Sequence, residues 1–404
     1  MHILVIADGR SPTAHRWVMG VVALQHRVTL VSTYPCPPME EAEATYILPV
    51  AFSAMGGSQA GGVRGRQERP SLQRRLVGRG RGLLQSARYW LGPITLPFYA
   101  RQLDKIIAET SPDLVHALRI PFEGMLAASA GSSVPLAVSI WGNDLTLHGK
   151  KNAWMRRLTM HTLRRANGLA ADVRRDIRLG RLWGFPVDRP SLVVPGGGGI
   201  NLTEIHRQRQ DLPAAGVPEW LPAGAPLVVN PRGLRPGYVR SDVFFEAIPL
   251  VLQHRPDVIF ACPSMAGQAE ALGWAQRLGI EKSVRLLPYL PQAELWDLFG
   301  RTDITVSVSV HDGTPNTLLE AMACGCFPVV GDLESLREWI TPGINGLLVE
   351  PTKPQALAAA ILLGLEKPEL CARAREINLD LIRERAEVGL ARSQIEVFYR
   401  RLVP

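Results

Sequence analysis

The stretch Thr305–Pro351, TVSVSVHDGTPNTLLEAMACGCFPVVGDLESLREWITPGINGLLVEP, decides the fold. Thr305 to Val310 is rich in β-branched residues in alternation and predicts a strand. His311-Asp312-Gly313-Thr314-Pro315 is a turn. Asn316 to Ala323 strings together strong helix formers. Thr314 suits the N-cap of that helix, Pro315 its first position, and Gly325 its stop. Phe327 to Val330 is a second apolar strand. The order strand, turn, helix, strand is a βαβ unit.

The turn carries the chemistry. A helix N-terminus offers backbone N–H groups and the positive end of a dipole, which together suit a phosphate. The donors here are the amides of Asn316, Thr317 and Leu318. Asp312 and Glu320 flank them, the second one helical turn beyond Asn316 on the same face. A carboxylate repels phosphate, so these acids suit hydroxyl groups instead. Phosphate between two hydroxyl-binding acids describes a nucleotide sugar, with ribose on one side and a hexose on the other.

This run resembles the signature of the retaining family-4 glycosyltransferases of the GT-B fold, the glycosyl transferases group 1. That signature has two acids separated by seven residues and then a helix end; here Asp312 and Glu320 are followed by Ala321-Met322-Ala323-Cys324-Gly325. The family usually has Glu first, and this chain has Asp, one methylene shorter. The resemblance implies that Asp312 contacts the donor sugar, that Glu320 contacts the ribose, and that the loop Gly313-Thr314-Pro315 with the following amides holds the diphosphate. Glu338 and the Asn345-Gly346 turn match the same pattern. It further implies an α/β architecture: two Rossmann-like domains facing a cleft, with a C-terminal helix crossing back to the first.

A chain of 404 residues suggests two or three domains, and 46% apolar with 20% charged residues is enough for sizeable cores. A net charge of +8 favours anionic partners such as nucleotide, phospholipid or nucleic acid. The resemblance narrows these to a nucleotide-diphosphate sugar donor and a saccharide or lipid-linked acceptor, with no nucleic acid. The cysteines at 36, 262, 324, 326 and 371 form no metal-ligand pattern and fit a reducing compartment. A strand starting at His2 leaves no room for a signal peptide, and no apolar run nears the ~20 residues that cross a bilayer. The expected location is cytoplasmic, peripheral on the inner face of the membrane. No Asp-x-Asp occurs, so neither a metal nor a cofactor is expected.

In chain order, His2–Ala7 is a buried strand. The loop Asp8-Gly9-Arg10 follows, then a helix from Ala14 to Leu24 and a strand from Val28 to Ser32. The opening is Rossmann-like without GxGxxG, and the loop with Gly9 is expected to face the ligand at the carboxyl ends of the strands. His15 and Arg16 either reach acceptor or phosphate or form a solvated first turn. An insertion at about 52–95 holds eight arginines between Arg64 and Arg88 with Glu68 as its only acid. Its interleaved leucines and Tyr89-Trp90 suit an anionic membrane surface, or it is simply solvated. Pro112-Asp113-Leu114-Val115-His116 also matches the family, with His116 structural or in the cleft. Asp144 follows the strand Leu136–Ile140, where it could orient the acceptor hydroxyl, accept its proton, or merely cap a helix.

The Pro/Gly-rich stretch Pro213–Pro226 reads as a linker. The strand Leu227–Asn230 leads to Arg232, where the family carries an Arg and then a Lys on the diphosphate. The Lys is absent, and Arg235 or Arg240 replaces it, with Arg240 better spaced. Tyr289 follows the strand whose backbone reads the nucleobase in the family. The expected domains are 1–205, 206–385 and a terminal helix at 386–404. The expected function is sugar transfer from a nucleotide donor to an acceptor hydroxyl with retention, catalysed around Asp144, Arg232, Arg240, Asp312 and Glu320. The alternatives are a nucleotide-sugar epimerase of the same fold and a non-catalytic basic binding module.

Overall fold

The computed structural model describes residues 1–54, 88–211, 218–235 and 237–403. The arginine-rich run as far as residue 87 and linker residues 213–217 lie outside the described residues. The chain divides into two compact units, Met1–Gly198 with Arg392–Pro404, and Gly199–Ala391.

Unit 1 holds a seven-stranded sheet in the order β3-β2-β1-β4-β5-β6-β7. Its strands are β1 His2–Ala7, β2 Arg27–Ser32, β3 Ala44–Ile47, β4 Leu114–Ala117, β5 Leu136–Ile140, β6 Gly168–Ala171 and β7 Ser191–Val193. All of its pairings are parallel. β1, β4 and β5 are buried along their whole length, as continuous apolar runs require when helices cover both faces.

Unit 2 holds a six-stranded parallel sheet in the order β10-β9-β8-β11-β12-β13. Its strands are β8 Leu227–Val229, β9 Ile259–Cys262, β10 Val284–Leu286, β11 Ile304–Ser307, β12 Phe327–Gly331 and β13 Leu347–Val349. In each sheet the strand order reverses once, at β1/β4 and at β8/β11. Doubly wound sheets bind ligands beyond the carboxyl ends of the strands at such a reversal. In unit 2 that places Arg232, just after β8, beside the turn after β11.

The tail is helical, and the terminal helix expected at 386–404 is Val388–Arg400. It forms two helices, Pro368–Arg385 and Val388–Arg400. The break is held by Ile200, whose N–H bonds the Ala386 carbonyl at 2.7 Å and whose carbonyl accepts the Val388 N–H at 3.0 Å. The last turns belong to unit 1. There the Tyr399 hydroxyl accepts from Trp17 Nε1 at 3.0 Å and lies 2.8 Å from His116 Nδ1. His116 Nε2 meets Ser139 Oγ at 2.9 Å. Burial pushes the His116 ring down to about 3, so it stays neutral. Both of its nitrogens are spent on structure, which settles its two readings in favour of the structural one. Among the described residues, no helix is long and apolar enough to cross a membrane.

Candidate active site

β11 ends at Ser307, short of the Val310 expected, because residues 308–310 leave the sheet to pair with the loop after β8. The Val310 N–H bonds the Tyr238 carbonyl at 2.8 Å, and the Arg240 N–H bonds the Val308 carbonyl at 3.0 Å. This pairing sets the two loops of the reversal side by side. Arg232, 9% exposed, then donates from Nη2 to Asp312 Oδ2 at 2.6 Å. Ser309 Oγ donates to the same oxygen at 3.1 Å, and the Gly313 N–H lies 3.1 Å from Oδ1. One side of the turn is thus an acid bound to an arginine across the switch point.

The helix after the turn is Asn316–Cys324, ended by Gly325 in the left-handed region at φ 93°. Its N-cap is Pro315 and not the expected Thr314, and it has no side-chain cap. The Thr314 hydroxyl instead accepts Trp339 Nε1 at 2.8 Å. Without a side-chain cap, the helix closes on itself: the Leu318 N–H bonds the Pro315 carbonyl at 2.9 Å. Of the three amides expected to face phosphate, that of Leu318 is therefore engaged within the turn. Thr317 Oγ1 is buried without a partner, as are Arg232 Nε and, on β11, Thr305 Oγ1 and Ser307 Oγ. Buried polar groups in native proteins nearly always find partners, so Arg232 Nε, on the arginine that holds the turn, and Thr317 Oγ1, in the first turn of the helix, call for a polar ligand. Glu320 lies in the second turn of the helix and is 1% exposed.

Sequence reading missed the residues that brace this turn. The Ser335 hydroxyl donates to the Asp312 carbonyl at 2.8 Å. Trp339, which holds Thr314, is in turn covered by the Arg385 guanidinium 4.3 Å from its ring centroid. The Thr314–Trp339 contact spans 25 residues, and local spacing does not announce it.

The two candidates for the second cation, Arg235 and Arg240, have different surroundings. Arg240 is clamped by Asp242, with Nε at 2.9 Å from Oδ1 and Nη2 at 2.6 Å from Oδ2. Arg235 is the arginine whose electrostatic surroundings include Asp312, whereas those of Arg240 are Asp242 and Glu246. The Arg-x-Asp spacing at 240–242 was a local signal that could have shown this. Tyr289 is 48% exposed. The backbone before it is occupied, since the Leu287 carbonyl accepts the Met265 and Ala266 amides and the Pro288 carbonyl accepts that of Ser264.

In unit 1, Gly9 sits at the end of β1 with its N–H on Ser32 Oγ at 3.0 Å. A Cβ there would lie 2.5 Å from Cys36 Sγ and 2.9 Å from Ser32 Oγ, so a larger residue requires those side chains to shift. Its carbonyl faces His15 Nε2 at 2.9 Å, so His15 braces this loop. Asp144 departs further from expectation. Its carboxylate is fully buried and accepts from Arg119 Nη2 at 2.7 Å and from the Ile120 and Trp141 amides at 3.1 Å each. A carboxylate so enclosed holds Arg119 and offers nothing to an acceptor hydroxyl. Burial works against the Arg119 charge, yet Asp144 and Glu123 together hold the guanidinium above its ordinary range. The Arg119 side chain remains 26% exposed, so it is the group of this pair that can meet a ligand.

Comparison with known proteins agrees with this architecture. The model of the glycosyl transferases group 1 matches residues 238–379, and that of the glycosyl transferase 4-like family matches residues 87–172. A D-inositol 3-phosphate glycosyltransferase of Thermobispora bispora is 30% identical over 218 residues, 52% of this chain and 49% of that protein. The chain thus spans about half the length of the curated relatives it matches. Among solved structures, the sucrose-phosphate synthase of Thermosynechococcus elongatus aligns with a TM-score of 0.72 at 15% identity, covering 100% of this chain and 99% of that one. Anabaena Alr3699/HepE in complex with UDP and glucose aligns with a TM-score of 0.70 at 16% identity over 100% of both chains. At such identities these two neighbours speak for the fold alone. The two-sheet α/β architecture, the family matches and the structural neighbours together place this chain among the group 1 glycosyltransferases of the GT-B fold.

Proposed function

We propose that this chain transfers a sugar from a nucleoside-diphosphate sugar to an acceptor hydroxyl with retention of anomeric configuration, without a metal. The observation that carries the reading is the Arg232–Asp312 pair on the turn that leads into the Asn316–Cys324 helix, with Arg232 Nε and Thr317 Oγ1 buried without partners. Phosphoryl oxygens would satisfy Arg232 Nε and the helix end. Charge developing on the departing diphosphate would then meet Arg232, Arg235 and the helix dipole. Asp312 and Glu320 take the donor's hydroxyls, sugar and ribose respectively. Retention follows from the family resemblance.

The acceptor reading is a lipid-linked or cell-envelope saccharide met at the inner face of a membrane. Trp90, Leu91, Ile94 and Phe98 are exposed, the first and last by 60% and 62%. In sequence they directly follow the eight arginines between Arg64 and Arg88. Exposed aromatic and aliphatic side chains beside a basic run suit an anionic interface, where each basic residue contributes about 1 kcal/mol.

One assay with two arms tests this. UDP- and GDP-sugars are supplied with lipid extract and a chelator, and the product anomer is read by NMR. The expected product keeps the donor's configuration at an undiminished rate; inversion, or loss of activity on chelation, contradicts the scheme. In parallel, the protein should sediment with anionic vesicles at low salt and be released as salt rises. A protein that stays in the supernatant moves the acceptor to soluble sugars.

A further inference from the structure

We infer that Asp312 competes with the donor's diphosphate for Arg232, so that this acid loosens the protein's grip on the nucleotide it must release. The inference rests on Arg232 being the diphosphate cation. Arg232 is 9% exposed and already holds an anion of the protein itself, with Nη2 on Asp312 Oδ2 at 2.6 Å. Its Nε is buried with no partner. One guanidinium therefore has one counter-ion in place and one N–H, at Nε, still without an acceptor. The carboxylate cannot readily swing aside, because Ser309 Oγ and the Gly313 amide hold its two oxygens at 3.1 Å each. Ser335 fixes the backbone beneath it, 2.8 Å from the Asp312 carbonyl.

Two anions sharing one cation at contact distance weaken each other's hold on it, most strongly where solvent is excluded. A bound nucleotide diphosphate would thus lie against a fixed negative charge that Arg232 already pairs. The short Asp suits this arrangement, since it keeps the carboxylate against its own turn and on the arginine. Removing the charge leaves a buried arginine without a counter-ion. A buried charge in that state is strongly unfavourable, and an arriving diphosphate relieves it. The expected sign is therefore unusual for a signature acid: its removal tightens the nucleotide.

The experiment is calorimetric titration of UDP and of GDP into the full-length chain and its Asp312→Asn, Arg232→Ala and doubly substituted forms. Whichever nucleotide binds the wild type should bind Asp312→Asn about tenfold more tightly, and the gain should shrink with salt. The gain should vanish when Arg232→Ala is added. Asp312→Ala serves as the second charge-removing variant should the Asn form melt early. Equal or weaker binding in the folded charge-removed variant, or a gain that persists without Arg232, overturns the inference. If Arg232→Ala alone leaves nucleotide affinity unchanged, the assignment of the diphosphate to Arg232 fails first, and the inference fails with it.

Discussion

Arg232→Ala is expected to lower kcat roughly 100- to 1,000-fold, the loss seen when one donor aimed at developing charge is removed. The motive is positional. Arg232 follows β8 at the sheet's reversal, is 91% buried by its 9% exposure, and keeps Nε without a partner. A guanidinium held there costs no reorganisation when the sugar–phosphate bond breaks. Arg232→Lys should recover only part of the loss, because an ammonium cannot bond Asp312 and a phosphoryl oxygen in one plane. The truncation also strands Asp312, so the melting temperature must be followed alongside. Steady-state kinetics with saturating acceptor check the claim. A variant that keeps its fold and its kcat removes Arg232 from the leaving-group role.

Glu320→Ala is expected to weaken nucleotide binding by roughly 1.5–3 kcal/mol, the range for a hydrogen bond to a charged group. Glu320 lies one turn beyond Asn316 on the helix, at 1% exposure. The ribose assignment makes a finer claim. Wild type should prefer UDP or GDP over the corresponding dideoxyribose nucleotide, and Glu320→Ala should lose that preference. A variant with weakened affinity but an intact preference would assign Glu320 to bracing the helix.

Much of this site was legible in the sequence because it is local. Strand, turn, helix and stop between residues 304 and 331 lie within about one turn of where periodicity put them, and both acids sit on that unit. Reading failed where a distant residue took over a local group. Thr314 was read as a cap from its neighbours, yet Trp339 holds its hydroxyl and Pro315 caps instead. Asp144 was read after its strand as an acid for the acceptor hydroxyl or a helix cap, but Arg119, 25 residues earlier, binds it, and the Ile120 and Trp141 amides complete its enclosure. Which arginine stands beside Asp312 depended on the pairing of residues 238–240 with 308–310. Such pairings are set by the strand order β8-β11, which no single segment encodes. Arg240 is the exception, since Asp242 was in view two residues away.

The central claim is that a nucleotide diphosphate seats on the turn at 312–318 and on Arg232. Hydrogen exchange of the full-length chain with and without saturating UDP or GDP tests it most directly, because it reads location without assuming a role for any residue. The account predicts slowed exchange in peptides covering 312–320 and 230–235, with Arg232→Ala diminishing both. Protection confined to other segments, or none with either nucleotide, would contradict it.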